Sequence, residues 1–187
     1  MQEDIKKALE VLRKGGVILY PTDTVWGLGC DATNPEAVER IYRIKKREDS
    51  KSMLVLIDHN GRLASYVRDV PEIAWELIDA AVTPLTIIYP GAKNLANNLV
   101  AEDGSIGIRI SDDDFCQELI KKFGKPLVST SSNISGEKTP AVFSEISEEI
   151  KESVDYVVEW RQDDYSKKPP SSIIKLGEGG LFKIIRA

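Results

Sequence analysis

Residues 16–32 read GVILYPTDTVWGLGCDA. An apolar run, Val17-Ile18-Leu19, passes without a spacer into two threonines, an aspartate, a tryptophan and two glycines one residue apart. A short apolar run bounded by turn residues reads as a buried strand. Small polar side chains and bare backbone at the mouth of such a strand are either a tight Thr/Asp turn or the wall of a ligand pocket. Upstream, "IKKALEVLRKGG" places Ile5, Ala8, Leu9 and Leu12 at helical spacing and closes on Gly15-Gly16, a helix C-cap. Downstream, Asn34 and Pro35 are the N-cap and first residue of a second helix. Its core stripe is Val38, Ile41 and Tyr42. Lys45 continues that stripe at i+7, a phase that turns its ammonium toward the interior side of the helix.

Further along, "SMLVLI" is a short buried strand and "DHNGR" a loop. "PEIAWELIDAA" is a helix with Ile73, Ala74, Leu77 and Ile78 on one face. "LTIIYPG" and "SIGIRI" are strands. Ser111 with Asp114 resembles a capping box for "DFCQELIKKFG", which stops at Gly124. "PLVST" is a strand that opens into the loop "SSNISGEKTPA". A weak helix near Glu145–Glu152, a strand "VDYVVEW" and a terminal hairpin "SSIIKLGEGGLFKIIR" follow. Interleaved strands and helices without repeats or low-complexity linkers predict one α/β domain over residues 1–187. The connections are too irregular for a doubly wound sheet, and the hairpin adds antiparallel strands, so the sheet is expected to be mixed.

Composition narrows the chemistry. The chain has 187 residues, 42% apolar and 29% charged, ordinary for a globular protein. No stretch approaches a membrane span and MQEDIKKALE is no signal-peptide core, so a cytoplasmic location without membrane contact is expected. Cys30 and Cys116 are far apart with no metal-ligand spacing, which predicts two buried free thiols. The single histidine, His59, nearly excludes a Ser-His-Asp triad or a multi-His metal centre, and no metal ligands are assigned. A net charge of −5 disfavours coating of nucleic acid. There is no Walker-type P-loop, and "GLG" lacks the third glycine of a dinucleotide fingerprint.

Four polar segments remain. "PTDT" offers hydroxyls and strand-end backbone suited to a small zwitterion. "KKRED" brings Lys45 and Arg47 to a helix end, as anion partners or as a solvated face. In "SIGIRI", alternation puts Ile106, Ile108 and Ile110 on one face and Ser105, Gly107 and Arg109 on the other. Arg109 there requires a carboxylate or phosphate, whether a ligand's or a structural partner's. "STSSNISGEKTPA" offers hydroxyls, an amide and backbone N–H groups suited to phosphate oxygens or a purine edge.

In their order, "YPTDTVWGLGCDA", the Lys-x-Arg of Lys45-Lys46-Arg47, "SIGIRI" and the Ser-x-Asn of "STSSNISG" resemble the YrdC-like family, from about Lys14 to the terminal "KIIRA". The resemblance implies a twisted mixed parallel/antiparallel sheet flanked by helices around a concave basic cavity. It implies synthesis of threonylcarbamoyl-AMP and pyrophosphate from L-threonine, bicarbonate and ATP with Mg2+. The product is the precursor of tRNA threonylcarbamoyladenosine and passes to a downstream tRNA threonylcarbamoyl-transferase machinery. Carried over residue by residue, Thr24, Arg109, Ser129 and Ser171 would hold threonine. Arg47, Ser105, Ser131, Asn133, Thr139 and Arg186 would contact the nucleotide, and Lys45 and Arg47 would act at the reacting phosphate. Glu48 stands where many relatives carry proline. The alternative is a binding module for double-stranded RNA or tRNA without adenylation activity.

Overall fold

The computed structural model describes residues 1–46, 53–177 and 181–187. Helix α1 (Gln2–Arg13) ends as its two glycines predict. Gly15 adopts a left-handed conformation (φ 76°), and the amides of Gly15 and Gly16 bond back to Leu12 O and Val11 O, a Schellman closure. The chain then enters β1 (Ile18–Tyr20), turns through 21–26 and returns antiparallel as β2 (Gly27–Gly29). Helix α2 (Pro35–Ile44) is capped by Asn34, whose side chain accepts from the amides of Glu36 and Ala37.

The remaining strands are β3 (Leu54–Ile57), β4 (Leu85–Tyr89), β5 (Ile106–Ile110), β6 (Leu127–Ser131), β7 (Tyr156–Val157), β8 (Ser172–Leu176) and β9 (Phe182–Arg186). Among the described residues they form one mixed sheet in the order β7-β1-β2-β6-β3-β5-β4-β8-β9. Strand β3 runs parallel to β5 and β4 parallel to β8, while β6 is antiparallel to both β2 and β3. Helices α3 (Leu63–Tyr66), α4 (Glu72–Ala80), α5 (Asp114–Phe123) and α6 (Glu148–Ser153) complete the fold. Ile5, Leu9 and Leu12 of α1 and Phe115 and Leu119 of α5 share one apolar cluster with Val55, Ile57, Ile106, Ile108 and Val128 of the sheet. Among the described residues no helix is long and apolar enough to cross a membrane.

Several local expectations change. Gly-Leu-Gly forms a strand despite the poor strand propensity of glycine. The reason is close approach: a Cβ on Gly29 would lie 2.5 Å from Tyr20 Cε1 and 3.0 Å from Val128 O. The cap of α5 is Asp113, which accepts from Cys116 N at 3.1 Å. Ser111 stands one step back and accepts from Asp113 N. "DHNGR" contains a 3-10 turn (Asn60–Arg62) running into α3. Of the apolar face of α4 only Ala74 is fully buried. The helix expected near Glu145–Glu152 is split: a 3-10 turn (Phe143–Glu145), then α6, capped by Ser147. "VDYVVEW" contributes only two strand residues at the sheet edge. Cys30 and Cys116 are buried free thiols.

Candidate active site

One face of the sheet is the floor of a cavity of about 940 Å³, within the usual range for small-molecule sites. Register explains how distant residues meet there. Arg109 on β5 pairs with Thr86 on β4, Thr86 with Ile173 on β8, and Ile173 with Arg186 on β9. These four therefore form a row across the floor, and all four line the cavity. One pleat away, Gly107 pairs with Ile88 and Ile88 with Lys175. On the other side of β3, Ser129 pairs with Leu54, and Ser131 pairs with Gly27. The alternation expected for "SIGIRI" holds: Ser105, Gly107 and Arg109 face the cavity, while Ile106 and Ile108 are buried in the core.

The segment "PTDT" is both a turn and a wall. Thr22 Oγ1 donates to Val25 O (2.7 Å) and accepts from Thr24 N (3.1 Å), a hydroxyl-closed turn. That closure fixes Thr24, which is 7% exposed and lines the cavity. Trp26 turns away and packs on Phe143, ring centroids 4.8 Å apart.

Arg109 meets a carboxylate of the protein itself. Its Nη2 lies 3.0 Å from Asp23 Oδ1, with side-chain exposures of 3% and 9%. Burial pushes the Asp23 carboxyl upward, and the Arg109 charge opposes that shift. Arg109 Nε is buried with no hydrogen-bond partner among the described residues. A buried donor left unpaired is costly, and Arg109 is one of the residues that line the cavity.

Ser171 is a junction. Its hydroxyl lies 2.8 Å from Thr86 Oγ1, its carbonyl accepts from Arg186 Nε at 2.8 Å, and Arg186 Nη2 reaches its Oγ at 3.3 Å. Ser105 Oγ donates to Asp103 Oδ1 (2.5 Å), and Asp103 Oδ2 lies 2.6 Å from Lys175 Nζ. These bonds, from Lys175 first and then Ser105, bring the Asp103 carboxyl down to about 2. The proton of Ser105 is thus committed, and its hydroxyl offers a ligand lone pairs rather than a donor.

Thr24, Ser105, Arg109, Ser129, Ser131, Thr139, Ser171 and Arg186 all line the one cavity. Two expected contacts do not. Lys45 is 2% exposed, and its ammonium donates to the main-chain carbonyls of Ser131 and of Asn133 (2.7 Å). The interior phase of Lys45 was legible, and its bonds to the two backbone carbonyls support the 131–133 loop. Asn133 donates from Nδ2 to Ile134 O (2.9 Å) and Glu137 O (3.0 Å), bracing the same loop from within. Arg47 and Glu48 lie outside the described residues. Asp23, Thr86, Asp103, Lys168 and Lys175 were not singled out as site residues. A lone acid or lysine carries no signal of its own until register brings it to a partner.

The Sua5/YciO/YrdC family profile, described as "Telomere recombination", matches residues 10–187. The chain belongs to this family of α/β proteins. It is 37% identical over 185 residues to threonylcarbamoyl-AMP synthase of Pseudoalteromonas translucida, covering 97% of this chain and 98% of that one. Over 160 residues it is 33% identical to threonylcarbamoyl-AMP synthase of Vibrio cholerae, covering 84% and 85%. Among solved structures it resembles E. coli YciO, with a TM-score of 0.86 and 29% identity over 100% of this chain and 89% of that one. It also shares the fold of P. abyssi Sua5 complexed with L-threonine (TM-score 0.82, 24% identity), matching 92% of this chain but 50% of that longer protein. The mixed sheet with flanking helices is the fold of these proteins.

Proposed function

We propose that this chain is a threonylcarbamoyl-AMP synthase, a nucleotidyltransferase that joins L-threonine, bicarbonate and Mg–ATP for tRNA threonylcarbamoyladenosine modification. The observation that carries the reading is Arg109, a buried cation that lines the same cavity as Thr24 and Ser129. Synthases at 33–37% identity over most of the chain supply the reaction and give no support to an RNA-binding module.

The guanidinium edge is matched to a carboxylate, and threonine's is the proposed partner. Thr24 and Ser129 then flank the amino acid with hydroxyls. The amine and bicarbonate give a carbamate and water. A carbamate oxygen attacks the α-phosphorus, the bond to the β-phosphate oxygen breaks, and pyrophosphate leaves with the electron pair. Once the carbamate exists, its negative charge makes a strong general base unnecessary, and positioning with charge neutralisation lowers the barrier. Ser131, Thr139 and Arg186 are the proposed donors toward the nucleotide, with Ser105 as an acceptor and Arg47 as a further cation. Lys45 and Asn133 act by fixing the backbone beside Ser131. Magnesium is assigned to the triphosphate, as the Mg–ATP substrate. The product would pass to a tRNA transferase in the cytoplasm.

Pyrophosphate release is the test, measured from Mg–ATP with threonine and bicarbonate each present or omitted. Release requiring both is expected. Release from ATP alone, or equally with any amino acid, would overturn the reading.

A further inference from the structure

The chain between β7 and β8 contributes Arg161, Asp164, Ser166 and Lys168 to the lining of a second, much smaller niche of about 20 Å³. That is room for one or two heavy atoms. Thr22, Trp26, Arg161 and Asp164 line the niche and not the main cavity, whereas Thr24, Val25, Ala141 and Lys168 line both. Lys168 thus stands where the two spaces join, beside the Thr24 wall.

The cations of the two spaces differ in how their charge is met. Arg109 has Asp23 at 3.0 Å and Lys175 has Asp103 at 2.6 Å. Arg161 pairs with Asp113, and Arg186 bonds to Ser171. Lys168 makes no salt bridge or hydrogen bond with the described residues. Asp164 shares the niche, but its carboxylate is turned onto Ser166 N (2.9 Å) and Ser166 Oγ (2.6 Å). Those bonds are what chiefly hold its pKa down, with the Lys168 charge a lesser contribution.

We propose that Lys168 binds the small carboxylating anion: bicarbonate first, then the carboxylate of the carbamate formed on the threonine amine. This rests on the synthase reading. The niche is too small for a phosphate chain or a base, so an anion at its mouth places one oxygen inside and its carbon toward Thr24. Lys175 and Arg186, on β8 and β9, are already met by Asp103 and by Ser171, which leaves Lys168, a lining residue of both spaces together with Thr24, for a small anion. Bicarbonate (HCO3−) and the amine yield the carbamate anion and water, so the negative charge stays at Lys168 throughout this step. A charge-assisted bond is the strong kind of contact and suits a ligand that forms and reacts in one place.

The test is steady-state pyrophosphate release with bicarbonate varied in depleted buffer, comparing wild type with Lys168→Met, Lys168→Arg and Lys167→Ala. Lys167 is the control: its side chain is 72% exposed, it lies 4.0 Å from Glu145, and it lines neither space. In Lys168→Met the bicarbonate KM should rise about tenfold, the loss of one charge-assisted bond, with threonine and ATP KM held within about twofold. Lys168→Arg should recover most of the loss and Lys167→Ala should match wild type. An active wild type with bicarbonate KM unchanged in Lys168→Met overturns the proposal alone, as does a rise confined to ATP KM or an equal effect in Lys167→Ala. A wild type that needs no bicarbonate removes the synthase reading, and this proposal with it.

Discussion

Lys45→Met separates two roles that a buried lysine near the proposed nucleotide site can play. The side chain is 2% exposed and its ammonium donates to the carbonyls of Ser131 and Asn133. Methionine keeps the apolar stem and leaves both carbonyls without that donor. Hydrogen bonds from a charged group are worth about 1.5–3 kcal/mol each, partly offset because the buried charge itself no longer has to be desolvated. A net loss of about 2–4 kcal/mol follows. At roughly 2–4 °C per kcal/mol for a chain of this size, Tm should fall by about 4–16 °C. The backbone released carries Ser131, with Thr139 a few residues on, so ATP KM should rise more than threonine KM. Thermal unfolding followed by circular dichroism, paired with substrate titrations, reads both. A Tm within about 1 °C of wild type combined with lost kcat would show Lys45 acting on the reacting atoms, and the support role would be wrong.

Gly29→Ala should destabilise by about 1–3 kcal/mol, the cost of overpacking. Its Cβ would meet Tyr20 Cε1 at 2.5 Å, and that ring is buried with its hydroxyl bonded to Val128 O. An unchanged Tm would mean the ring yields. Arg109→Lys keeps a charge for Asp23 but loses the planar fork. Threonine KM should rise at least about tenfold with ATP KM little altered, and equal effects on both substrates would contradict the carboxylate assignment. Burial alone would raise the Asp4 carboxyl, but bonds from Glu159 N (2.6 Å) and Tyr156 OH (2.9 Å) leave it below its usual 3.8. A depressed carboxyl stabilises the fold above that usual value and loses its effect as pH falls through the lower folded one. Asp4→Asn should therefore be less stable than wild type at pH 7 and show a shallower decline in urea midpoint below about pH 4. Parallel pH profiles would refute this.

The first two helices, the alternation of β5 and the mixed sheet were legible because each rests on a period or a cap written in consecutive residues. Asn34-Pro35 followed by the Val38, Ile41 and Tyr42 stripe marks a helix start, and Ser105-Gly107-Arg109 must share a face in any strand. Strand β2 was not legible, since its glycines are required by a tyrosine ring and a carbonyl that only the folded sheet brings near. Arg109 announced its need for a carboxylate, but nothing in sequence spacing chose between Asp23 and a ligand. The ammonium of Lys45 was correctly sent inward, yet the carbonyls that receive it are 86 and 88 residues away.

The row Arg109-Thr86-Ile173-Arg186 has a consequence for synthesis of the chain. Strand β2 finds its partner β6 only after some hundred further residues, and β4 waits for β8. Non-local pairings of this kind form late and slowly. A nascent chain that has emerged only as far as α5 holds Arg109 and its Asp23 partner but neither Ser129 nor Ser171. The cavity floor is therefore incomplete until β8 and β9 have left the ribosome, and a half-made chain has no closed pocket in which to sequester a ligand.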